Sequence, residues 1–211
     1  MAAVSKRKYY ARYVARYAGK NTSTLALGAL FLAGMALGAM LLRGAGPETL
    51  RLLEQVVGGF IDRRTTAGMS ENFASAFTAS MLFVGAVFVL GFCAIAQPVI
   101  AAAPLVRGLG FGFSAAMLYM SYGTQAIGVV GVLMLPGMLL STLAVIICCR
   151  QALRLSGTFF AHIRPGAGST AEPIGLRAYC FSHLFAVGLC ALGALAEAAL
   201  YLAFANSLVL R

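Results

Sequence analysis

Acidic residues are scarce in this chain and tryptophan is absent. Six Asp and Glu stand against sixteen Lys and Arg, and charged residues make up only 10%. A water-soluble domain would carry roughly 25% charged residues, so that class is excluded. Without tryptophan, any aromatic belt at a membrane surface falls to tyrosine and phenylalanine. Catalytic signatures are missing too: there is no HExxH, no paired Glu-Glu motif and no G-x-S-x-G around a serine. The five cysteines, Cys93, Cys148, Cys149, Cys180 and Cys190, are odd in number, lie in or beside apolar runs and include no CxxC pair. They fit small buried hydrophobes and not a disulfide framework or a zinc site, with the vicinal pair Cys148–Cys149 the one alternative redox or metal candidate. No enzymatic activity, metal or cofactor is expected.

What remains is overwhelmingly apolar, with 61% hydrophobic residues and a mean hydropathy of +0.88 over 211 positions. The expected fold class is an all-α integral membrane protein with five transmembrane helices. A basic leader occupies residues 1–22 and a five-span membrane domain residues 23–208. The spans are expected at Ser23–Leu42, Asn72–Ala96, Gly108–Tyr122, Ala126–Cys149 and Ala178–Leu208. Full length and the lack of a small-x-small cleavage site set the first span apart from a removable signal peptide. Pro98, Pro104 and Arg107 interrupt the middle of the chain. The two prolines and the charge predict a hairpin bend at Pro104–Arg107, with Arg107 at the water boundary. Gly108, Gly112 and Ala116 follow at four-residue intervals, a face built for close helix packing. Gly34 and Gly38 form a second, weaker GxxxG, and Pro136–Gly137 predicts a kink.

The leader carries Lys6, Arg7, Lys8, Arg12, Arg16 and Lys20 with four tyrosines between them, the pattern of an interfacial helix on an anionic leaflet. Between spans one and two, Leu50, Leu53, Val57 and Phe60 recur at helical spacing. They predict a short amphipathic helix over Glu48–Phe60 on the outer surface, available to a partner. Basic residues concentrate in the leader, at Arg107 and across Arg150–Arg177, which orients the N-terminus to the cytoplasm and the C-terminus outside. The net charge of +10 is accounted for by orientation. Its residues are divided among short connections, so no nucleic-acid surface is expected.

Glu197 is the one acid inside a span, which makes it a functional candidate by default. His183 lies fourteen residues earlier, about 21 Å away by helical rise, so the two cannot ligate one metal. Asn72 is placed to cap the second span. The glycines of Gly108–Gly112 follow no strand and read as packing, not as a phosphate cradle.

The order Asn72, Gly91, Pro98, Arg107-Gly108, Gly112-Phe113 resembles the stage II sporulation protein M family. Those bacterial membrane proteins have five predicted spans and a central Gly…Pro…(Arg/Lys)-Gly…Gly-Phe pattern. The resemblance covers about forty residues. A second proline, Pro104, and an alanine-rich stretch after Pro98 depart from the pattern. It implies a non-enzymatic scaffold in the mother-cell membrane that anchors two peptidoglycan-remodelling partners, the stage II D and P proteins, during engulfment. A homo-oligomer is compatible with the packing glycines. The alternative is a permease subunit, favoured by the proline kinks and by Glu197.

Overall fold

In a hydrocarbon environment a backbone can satisfy its polar groups only within its own helix, so long apolar runs become helices. The computed structural model describes residues 2–44, 67–163 and 175–204, with isolated positions between 46 and 59; residues 2–21 are described by their backbone. The helices are α1 (Ala2–Arg43), α2 (Met69–Leu90), α3 (Gln97–Tyr122), the short α4 (Gln125–Gly128), α5 (Leu135–Ile163) and α6 (Leu176–Phe204). No strand occurs among the described residues. Five helices are long and apolar enough to cross a membrane: Thr22–Arg43, Met69–Leu90, Gln97–Ser121, Val130–Phe160 and Leu176–Ala203. Large apolar side chains point outward, with Leu82 70% and Leu184 68% exposed. That outward face suits lipid and would be a liability in water.

The leader continues into the first span as one helix, where a separate surface helix was expected. No proline falls between Ala2 and Arg43 to stop propagation from the span. The expected amphipathic helix over Glu48–Phe60 lies for the most part outside the described residues, including its apolar stripe.

The bend between spans two and three is not at Pro104–Arg107 but at Gly91–Ala96. Pro98 sits in the first turn of α3, where a missing N–H costs nothing. Pro104 lies inside α3, which runs on through it and buries the ring completely. A membrane helix tolerates such a proline where neighbouring helices cover the freed carbonyl. The kink expected at Pro136 takes the form of a π-helical turn over Val129–Met134, immediately before the proline. The wider turn accommodates a residue that cannot donate to the carbonyl four back.

Helix α5 is the centre of the bundle, half of its span buried against α2, α3 and α6. Helix α1 packs mainly on α3. Their contact is reciprocal: a Cβ on Gly34 or Gly38 would overlap the carbonyls of Leu105 and Leu109, and one on Gly108 or Gly112 those of Phe31 and Met35. Each glycine thus turns a Cα–H toward a carbonyl oxygen of the other helix. Ala116, one turn further, is half-buried. A second close approach joins α5 and α6, where a Cβ on either Gly137 or Gly193 would come within 3.0 Å of the other's carbonyl oxygen.

Candidate functional site

Arg107 stands ten residues into α3, about 15 Å along the helix from Gln97. It is therefore at membrane depth, and its expected place at the water boundary is corrected. A charge there is costly unless the protein surrounds it with partners. The partners come from three other helices. The Arg107 guanidinium donates to Ser80 Oγ on α2 at 3.3 Å and to Ser141 Oγ on α5. Both serines are buried, and Ser141 in turn donates to the carbonyl of Met138 at 3.1 Å. The Phe83 ring lies below the guanidinium, 5.3 Å from Cζ to the ring centroid, in cation–π range. Arg107 Nε is buried without a hydrogen-bond partner.

From α6, Glu197 supplies the opposite charge. Its carboxylate acts electrostatically on Arg107 and lies against Gly137, where a Cβ would meet Oε2 at 2.8 Å. The two charges line one cavity of about 250 Å³ between α2, α3, α5 and α6. The bare backbones of Gly137 and Gly193 bring α6 close enough to α5 to place Glu197 there.

A second polar cluster supports the Gly91–Ala96 bend. The Tyr179 hydroxyl donates to the carbonyl of Phe88 at 2.8 Å, and Ser156 donates to the carbonyls of Cys93 at 2.7 Å and Ala94 at 3.3 Å. The Tyr179 and Ser156 bonds to Phe88 and Ala94 satisfy carbonyls that the end of α2 and the turn leave without helical donors, while the Cys93 carbonyl also accepts from the Ala96 N–H at 3.3 Å. Gly91 is required here, because a Cβ would overlap the Tyr179 hydroxyl. His183 belongs to this cluster and not to the charged one. Its Nδ1 donates to the Tyr179 carbonyl at 3.0 Å and its ring packs edge-on to Phe88 at 5.1 Å. Nε2 is buried without a partner.

Asn72 is not the cap of α2, which begins three residues earlier behind Gly68. It is buried in the first turn, and its amide reaches back to the carbonyl of Ala67 at 3.4 Å. Pro98 is exposed at the start of α3. The structure thus divides the sequence candidates. Arg107 and Glu197 share a cavity, Gly91 and His183 share the bend cluster, and Gly108 and Gly112 face α1.

Sequence reasoning misses Ser80, Phe83 and Ser141 as partners of Arg107, because a lone serine in an apolar run carries no local signal. Arg107 itself could have been placed by length. A third span beginning at Gly108 would have fifteen residues, about 22 Å, too short for a hydrocarbon core of about 30 Å.

Chemically, the charged cavity can hold a hydrogen-bonding group between a cation and an anion. Neither Ser80 nor Ser141 has an imidazole to activate it among the described bonds, since His183 is committed to Tyr179. No group of three or more His, Cys, Asp and Glu suited to a metal occurs among the described residues. No protein-family model, curated protein or solved structure matches the chain.

Proposed function

We propose that this chain is a non-enzymatic scaffold in the bacterial cytoplasmic membrane, akin to the stage II sporulation protein M family. It anchors peptidoglycan-remodelling partners of the stage II D and P type during engulfment. The observation that carries the reading is where the resembling residues are used. Gly91 seats Tyr179, Pro98 starts α3, Gly108 and Gly112 seat α1, and Arg107 ties α3 to α2 and α5. A set of residues that joins helices supports a fixed shape onto which others assemble. In a sporulating host, deletion of the gene should leave flat or bulging septa, with the two remodelling partners no longer concentrated there. Normal engulfment in that strain would sink the scaffold. A strain that engulfs but fails to move a solute would favour the permease, the reading to which the Arg107–Glu197 cavity lends its support.

The N-terminus is assigned to the cytoplasm. With Arg107 removed from the count of connections, ten basic residues remain on the N-terminal side against five on the other. The bias therefore survives the correction and follows the positive-inside rule. Single cysteines at Thr66 and Ser169, in a background without the native five, test it. An impermeant thiol reagent on intact cells should label the first only. Labelling of Ser169→Cys instead would reverse the orientation.

A further inference from the structure

The Arg107–Glu197 cavity opens between α2 and α3. These consecutive helices make few contacts with one another, and the exposed residues at its mouth are Ala79, Val106 and Gly110. All three lie well inside their spans, so the opening faces the bilayer's apolar layer and not water. Two further features stand out. Gly110 is spaced between the glycines that α1 uses, yet it faces the other way, and a Cβ there would meet nothing within 4 Å. Ala79 on the opposite wall is exposed and small as well, so between the larger Phe83, Val106 and Phe111 the two walls offer one point where a backbone can come close. The floor, by contrast, is polar, with Arg107 offering N–H donors and Glu197 a carboxylate acceptor.

Acyl chains cannot hydrogen-bond to such a floor. A further cation or anion would repel one member of the pair. The group that complements both is a carboxamide, whose oxygen accepts from Arg107 while its NH₂ donates to Glu197. We infer that the crevice between α2 and α3 seats one transmembrane helix of a partner protein through an asparagine or glutamine side chain at membrane depth. The inference rests on the scaffold reading and specifies where and by what chemistry a partner is held.

The test uses the full chain, purified and reconstituted in phosphatidylethanolamine–phosphatidylglycerol vesicles. The probe is a fluorescent polyleucine transmembrane peptide with one central glutamine, compared with the same peptide carrying leucine there. Energy transfer to acceptor-labelled protein should show about tenfold tighter association of the glutamine peptide, the size expected of one interhelical hydrogen bond. Gly110→Leu adds a large side chain at the mouth, where its Cβ meets nothing within 4 Å, and should abolish that preference while the fold is retained. Equal association of both peptides, or a preference that survives Gly110→Leu, overturns the proposal. Energy transfer between copies of the chain that Gly110→Leu removes would assign the crevice to self-association instead, and overturns it too. Because no cell phenotype enters, failure here is distinct from failure of the deletion experiment above.

Discussion

Replacing Gly112 with leucine is expected to separate α1 from α3. A Cβ alone would overlap the Met35 carbonyl, and the rest of a leucine has nowhere to go, because the obstruction is backbone. Overpacking of this kind costs roughly 1–3 kcal/mol where neighbours can shift, and here two helices must move apart. The loss extends along the interface, since Gly34, Gly38 and Gly108 depend on the same separation. Thermal unfolding in detergent measures it. Gly110→Leu is the control, two residues away on the same helix with open space around its Cβ, and should stay within about 0.5 kcal/mol of the parent. Equal stability of the two variants would mean that the α1–α3 contact does not hold the bundle.

Arg107→Met should have an effect at least as large. It removes the positive charge that shares a cavity with Glu197 and the donor that joins Ser80 to Ser141. Stranding a charge inside a bundle costs roughly 3–5 kcal/mol where it is fully buried, and the half-buried Glu197 places this case toward the lower end. Glu197→Gln keeps size and hydrogen-bonding capacity while stranding the guanidinium, and should cost less, on the order of 1–3 kcal/mol. Both losses are read from the same unfolding measurement in detergent. If Arg107→Met is as stable as the parent, the guanidinium is solvated and not held by the bundle.

The five spans are legible in the sequence as apolar runs, although the third, expected from Gly108, is observed from Gln97. The packing glycines are legible as well, but only as faces without partners. Nothing local to Gly34-x-x-x-Gly38 or Gly108-x-x-x-Gly112 says that one receives the other. The bend is misplaced for a local reason. Pro98 reads as a helix stop but serves as a helix start, and Pro104 reads as a break but sits inside a helix that its neighbours cover. Arg107 follows from the same error. A lone charge marks a membrane boundary unless the bundle surrounds it, and here the surrounding groups stand on other helices, with Glu197 ninety residues further along lining the same cavity. Proximity across that distance is a property of the folded bundle. The Tyr179–Phe88 and Ser156–Cys93 bonds are hidden for the same reason: hydroxyl donors look neutral in sequence until the fold brings distant carbonyls within reach.

The central structural claim is that Arg107 and Glu197 form one electrostatic unit at membrane depth, and a double-mutant cycle on that pair tests it most directly. Unfolding free energies would be measured in one detergent for the parent, Arg107→Met, Glu197→Gln and the double variant. The double variant, which has neither charge to bury, is expected to be at least as stable as Arg107→Met alone, giving a coupling on the order of 1–3 kcal/mol. If the two losses simply add, the charges do not act on one another and the account of this site is wrong.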